Sequence, residues 1–295
     1  MNKLPLSKRV QILAMLCEGS SMRSISRVCD VSINTVTKML ADAGNAALIM
    51  HDEMVRKVPA TRIQCDEIWS FNYCKEKNVG TAKSAPDRAG DLWTWTALES
   101  QSKLIVSYLV GDRSGQAASR LMDDLKMRLA NRVQLTTDGH KAYLEAVEGA
   151  FGNDVDYAML VKLYGNAPSG PETRYSPAEC IGARKTRITG EPDEKYVSTS
   201  HVERSNLSMR MHMRRFTRLT NAHSKRITAH IHMVALYTVF YNFIRVHKTL
   251  RMSPAMAAGI APSLMTFEDV VAKMDAIAPK PGRPKTYKKR IPAAD

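Results

Sequence analysis

Three acidic residues, far apart in the chain, stand where carboxylates can do chemistry. Asp66 lies in a β-rich run at 61–73 (TRIQCDEIWSFNY), Asp138 closes the short apolar stretch 132–137 at an Asp-Gly pair, and Glu203 sits near the start of a helical segment. Carboxylates are hard oxygen donors, and a few of them plus a substrate phosphate suffice to hold Mg²⁺ or Mn²⁺. Two such ions about 4 Å apart stabilise the attacking and leaving oxygens of an in-line displacement. The trio is therefore a candidate two-ion site for phosphodiester chemistry. Each member also has a plainer reading. Asp66 could be a solvated strand residue; its neighbour Glu67 points to the opposite face of a strand, so one of the two enters the site, and Asp66 is the better placed. Asp138-Gly139 could be an ordinary strand-ending turn. Glu203 could simply favour the helix dipole.

Elements that could bring the three together are legible around them. Residues 8–18, 22–29 and 33–43 read as three short helices, with Gly19 and Gly44 as stops and Ser32 as the opening cap of the third. Two short helices joined by a tight turn make a helix-turn-helix, expected over 1–45. The start of its second helix would face the major groove, placing Asn34, Thr35 and Lys38 at bases and phosphates. The plainer reading is a helical dimerisation unit that touches no DNA. A linker helix is expected over 46–60. Strand signals follow at 61–73, 91–98 and 103–110, then a helix at 115–130, a strand at 132–137, a helix at 141–151 and a strand at 157–163. The order β-β-β-α-β-α-β gives an α/β fold, a five-stranded mixed sheet with flanking helices that matches the ribonuclease H-like arrangement over 61–250. Residues 164–198 show no period and read as an insertion. Residues 201–247 read as two helices split near 221–224, and 251–295 as a C-terminal extension with a basic tail.

Charge supplies a partner for the acids. The 295 residues hold 43 Lys+Arg against 29 Asp+Glu, a net charge of +14. Residues 204–251 carry ten cations and no acid, and 280–290 carry six more and no acid, leaving the rest of the chain at −2. Such segments suit a polyanion, with nucleic acid leading. On a helix, Glu203, Asn206, Arg210, Arg214 and Thr217 would share one face. His201, Arg204, Arg215, Arg218 and Lys225 add to the same basic region, and Arg forks suit phosphate. In the tail, Gly282-Arg283-Pro284-Lys285 resembles a minor-groove hook, although a basic tail contacting phosphates without preference is the simpler reading. Five widely spaced cysteines without a C-x-x-C pair argue for reduced thiols and against a disulfide or zinc scaffold. No apolar run reads as a membrane span, the longest near-apolar stretch being 233–244, and the first residues lack a signal-peptide pattern.

The blocks QCDEIWSF, TTDGHKAY, TSHVERSNLSMRMHMRRFTRLTNAHSK and YNFIRVHKTLRMSPAMAAGI together resemble bacterial insertion-sequence transposases of the DDE type, nearest to the insertion-sequence-one family. The likeness runs from about residue 60 to 260. It implies Asp66, Asp138 and Glu203 as ligands of Mg²⁺ or Mn²⁺, two ions per site, with His201, Arg204 and Asn206 in support. It also implies binding of terminal inverted repeats, 3′-end cleavage and strand transfer into target DNA. The DNA would be handled by a homodimer or larger assembly in a bacterial cytoplasm. Some relatives carry a zinc finger ahead of the helix-turn-helix, and this chain lacks those cysteines. The spacing from Asp138 to Glu203 is longer than in compact members. Two rivals remain at this level: a metal-dependent nuclease that does not join ends, and a DNA-binding regulator without catalysis.

Overall fold

A computed structural model describes residues 3–165, 178–217 and 221–279. Elements run α1 (Leu6–Cys17), α2 (Met22–Val28), α3 (Ile33–Met54), β1 (Arg62–Asn72), β2 (Gly90–Glu99), β3 (Ile105–Gly111), α4 (Gly115–Arg128), β4 (Gln134–Thr137), α5 (Ala142–Phe151), β5 (Asp156–Tyr164), β6 (Cys180–Thr189), α6 (Ser200–His212), α7 (Ile227–Val239), α8 (Pro254–Ala257) and α9 (Phe267–Ile277).

The sheet order is β3-β2-β1-β4-β5-β6. The β1–β2–β3 meander is antiparallel, β4 and β5 run parallel to β1, and β6 returns antiparallel on β5. The mixed sheet and the order β-β-β-α-β-α-β stand as expected. The strand count does not: among the described residues the sheet has six strands, and β6 comes from the stretch expected to be an insertion without period. Its residues are almost all exposed, so no buried alternation marks it. Arg184, Lys185 and Arg187 along it suit an edge that must not recruit another strand. At the opposite edge, the Asn242 side chain mimics a strand neighbour, donating to Ile105 O at 2.8 Å and accepting from Ile105 N at 3.0 Å.

The expected helix stop at Gly44 does not occur. Helix α3 continues to Met54 as one 22-residue rod, so the separate linker helix merges into it. Gly44 marks a close crossing instead: a Cβ there would lie 2.3 Å from the His232 Cβ of α7. Helix α9 closes this helical pack, with Arg9 of α1 gripping Asp275 at 2.7 and 2.9 Å. The run Ile227–Ile244 reaches 18 residues at mean hydropathy 1.3, longer than the expected stretch, and 67% of it is buried inside the fold. It is long and apolar enough to cross a membrane, and here it packs against α3 as a core helix.

Candidate active site

The parallel pairing of β1 with β4 decides where the acids meet. Cys65 lies opposite Thr137, so the next residues, Asp66 and Asp138, emerge side by side where β4 ends. One carboxylate oxygen from each of Asp66, Glu67 and Asp138 lies within 4.8 Å of those of the other two. Glu67 was expected to leave the site by strand alternation. Its stem does point to the other face, toward Tyr143, whose hydroxyl donates to Oε2 at 3.2 Å. Its carboxylate nonetheless reaches the region of Asp138, just past the end of β4.

Helix α6 is delivered to this point by β1 itself. Gln64 Oε1 accepts the N–H groups of His201 and Val202 at 2.9 and 3.1 Å, satisfying two free donors of the first turn. One turn further on, Asn206 Nδ2 donates to Asp66 Oδ2 at 2.7 Å. Asn206 is 2% exposed, a support for Asp66 beneath the helix and not a surface contact. Glu203, three residues earlier, occupies the same side of α6 and adds to the negative field at Asp66. Its carboxylate is held by Lys162 Nζ of β5 at 2.5 Å and Thr199 Oγ1 at 2.6 Å. Asp66 and Asp138 are thus brought together directly with Glu67, while Glu203 lies outside that close group and is paired with Lys162.

The electrostatics follow from burial. Asp66 is pushed up to about 6, chiefly by desolvation and next by the charge of Asp138. Glu67 is pushed up to about 7 by the same two causes in the same order, opposed by Arg113. Arg113 was not singled out from the sequence. Its guanidinium bonds Glu67 Oε1 at 2.8 Å, lies 4.0 Å from Asp138 Oδ2 and rests on the Trp93 ring at 4.5 Å. No linear spacing links residues 67, 93, 113 and 138; only the sheet register does.

The expected cationic face is partly rearranged. Helix α6 ends at His212 because Met213 turns into extended backbone and Met213 and Phe216 insert into the core. Arg214 therefore lies on the following short turn and does not continue the α6 face. Arg215 is turned inward, donating to Ser224 Oγ at 3.0 Å, and desolvation lowers it to about 10; as placed, it offers DNA nothing. Arg204, Arg210, Arg214 and Lys225 are exposed, as is His201, which lies 3.1 Å from Lys103. In the N-terminal helices, Asn34 and Lys38 are exposed and Thr35 half-buried. Ser32 caps α3 by accepting Thr35 N at 3.1 Å, and Lys38 pairs with Asp42 at 2.5 Å. Arg218, Arg283 and Lys285 lie outside the described residues.

No known family profile matches the chain, and no curated protein matches it. Solved structures overlap it loosely. A Mos1 strand transfer complex gives a TM-score of 0.23 at 14% identity, over 53% of this chain and 59% of that one. A Mos1 mariner paired-end complex with Mn gives 0.21 at 13% identity, over 51% and 58%. A piggyBac transposase synaptic complex with hairpin DNA gives 0.34 at 11% identity, over 95% and 77%. The chain thus spans under two thirds of the Mos1 chains, and overlaps this loose assign it neither a fold family nor an activity.

Proposed function

We propose that the chain is a metal-dependent DNA-processing enzyme, a transposase of the DDE kind, with Asp66, Asp138 and Glu203 as its cation-holding carboxylates. The convergence of Asp66, midway along β1, with Asp138, just past the end of the parallel neighbour β4, with α6 tied to Asp66 by Asn206, carries this reading. The donors fit a hard divalent cation: all are oxygens, burial and the charge of Asp138 already disfavour the ionised forms of Asp66 and its neighbour Glu67, and Asn206 Oδ1 is buried without a hydrogen-bond partner among the described residues. Mg²⁺ or Mn²⁺ held there supplies Lewis acidity at a phosphodiester and an acidified water or 3′-hydroxyl.

The protein's own part is positioning. Asn206 fixes the Asp66 carboxylate, and the backbone N–H of His140 fixes Asp138 Oδ1 at 3.0 Å. Lys162 keeps Glu203 compensated. Arg204, Arg210, Arg214 and Lys225 supply cations along which a phosphate backbone would run. Asn34, Thr35 and Lys38 would read the terminal repeats from the first turns of α3, and a dimer or larger assembly would hold two ends at once.

The test is Mg²⁺-dependent nicking of supercoiled DNA carrying the element's ends, followed by joining of pre-cleaved ends to a target. Nicking and joining that both vanish in Asp66→Asn and Asp138→Asn support the transposase reading. Nicking without joining leaves a nuclease. DNA binding with neither activity overturns the enzymatic reading.

A further inference from the structure

The face of β1 that carries Glu67 continues away from the acids as a row of aromatic rings. Strand alternation puts Glu67, Trp69 and Phe71 on one side, and the β1–β2 register sets Trp93 opposite Trp69. The Trp69 and Phe71 rings lie 5.8 Å apart, and Phe71 and His223 lie 4.7 Å apart with planes 34° from parallel. All four of these side chains are half-buried. By contrast Trp95, two residues beyond Trp93 on the same face, is fully buried against Tyr143. The row therefore starts where the packed core stops.

Cations interleave with the rings. The Arg113 guanidinium carbon is 4.5 Å from the Trp93 centroid, Lys75 Nζ is 6.0 Å from that of Trp69, and Lys225 Nζ is 2.5 Å from His223 Nε2. Asp91, paired in register with Phe71, spends Oδ1 on the Glu76 N–H at 3.2 Å. Rings alternating with cations offer π-faces to bases and charge to phosphates, the combination that holds a strand whose bases are unpaired. Intact duplex keeps its base faces inside its own stack and cannot use such a row. Arg113 joins the row to the acids, since it also bonds Glu67 and approaches Asp138.

We infer that Trp93, Trp69 and Phe71, with Arg113, Lys75 and Lys225, form a seat for unpaired nucleotides of a DNA strand opened next to the carboxylates. The inference rests on the reading of that cluster as a DNA-processing site, and it adds the state of the DNA there: frayed or single-stranded, not paired.

The experiment uses the full chain and two probes, a blunt duplex and the same duplex with a single-stranded 3′ extension containing 2-aminopurine. The extended probe is expected to bind roughly tenfold tighter at equal salt, the scale of one or two stacked bases, with 2-aminopurine fluorescence quenched. Trp69→Ala should lose both the preference and the quenching, whereas Trp69→Phe should keep most of each. Trp93→Ala, on the neighbouring strand, serves if Trp69→Ala does not fold. Equal affinity for the two probes, or quenching unchanged in a folded alanine variant, overturns the seat while leaving Mg²⁺-dependent nicking of duplex DNA intact. Failure to bind either probe overturns the DNA reading itself.

Discussion

Two groups of carboxylates in this chain are treated in opposite ways. Where α9 closes on α1, Asp275 takes both arms of Arg9 and the Lys3 ammonium at 3.0 Å, and these partners hold it down at about 2. Where β4 ends against the middle of β1, Asp66 and Glu67 are pushed up to about 6 and 7 by burial first and by Asp138 second. The helical clasp matches each charge as the chain folds. The junction of β4's end with the middle of β1 gathers like charges and leaves them only partly compensated, by Arg113 on Glu67, a cost that the surrounding core must bear. Charge only partly matched on a rigid frame suits the proposed cation site, and on that reading function and stability lie in different parts of the fold.

The largest effect that can break this contrast is on activity. Asp66→Asn and Asp138→Asn should reduce Mg²⁺-dependent nicking to background, read on supercoiled DNA. In the same variants the metal-free protein should be no less stable than wild type, and Asp138→Asn should gain about 1 kcal/mol by relieving repulsion. A marked loss of stability would mean that the acids hold the fold together. Next comes the helical side. Gly44→Ala sets a Cβ against the His232 Cβ and Cα, and should cost about 2–3 kcal/mol in urea unfolding while leaving cation binding in the folded fraction unchanged. Arg9→Ala should cost less, about 1 kcal/mol, because the Asp275 side chain is 39% exposed and solvent screens the pair.

The smallest effect is a pH dependence whose sign differs between the two regions. His51 and His230, buried in the helical pack, are lowered to about 3 by desolvation. Their neutral forms favour folding, so the stability they contribute is present above about pH 6.5 and is lost as pH falls toward 3. Asp275 adds stability above its usual value of 3.8 that is lost as pH falls toward 2. Asp66 and Glu67 act the other way. Raised above their usual values, they contribute stability at low pH that is lost as pH rises toward 6 and 7. Between pH 4 and 6.5 the two regions oppose each other. Asp138→Asn, which weakens the second cause of both carboxylate shifts, should therefore steepen the rise of stability with pH in that window, read from urea midpoints. An unchanged slope would remove the electrostatic half of the comparison.

The frame of the site was readable because it is local. Ile63, Cys65 and the alternation that follows mark β1, the Leu121, Met122 and Leu125 stripe marks α4, and Asp138-Gly139 marks the end of β4. What escaped the sequence depends on contacts between distant segments. Strand β6 has no buried side to reveal it. Gly44 looks like a stop because the helix that crosses it lies nearly two hundred residues later. Arg215 sits in a run of cations, yet Met213 and Phe216 draw that turn into the core and take its guanidinium with them. Glu67 obeys strand alternation, but the neighbouring β4 ends at Asp138 and the Glu67 carboxylate reaches around to it. Arg113 and Trp93 carry no linear signal, since only the register of β1 on β2 and the bond to Glu67 set them beside the acids.

Cation binding tests the central claim most directly. Mn²⁺ titrated into the full-length protein and followed by electron paramagnetic resonance should bind saturably in wild type and in Arg9→Ala. It should fail to bind in Asp66→Asn and Asp138→Asn at the same concentrations. Undiminished binding in those two carboxamide variants would contradict the account, because the cation would then be held somewhere other than the meeting point of β1 and β4.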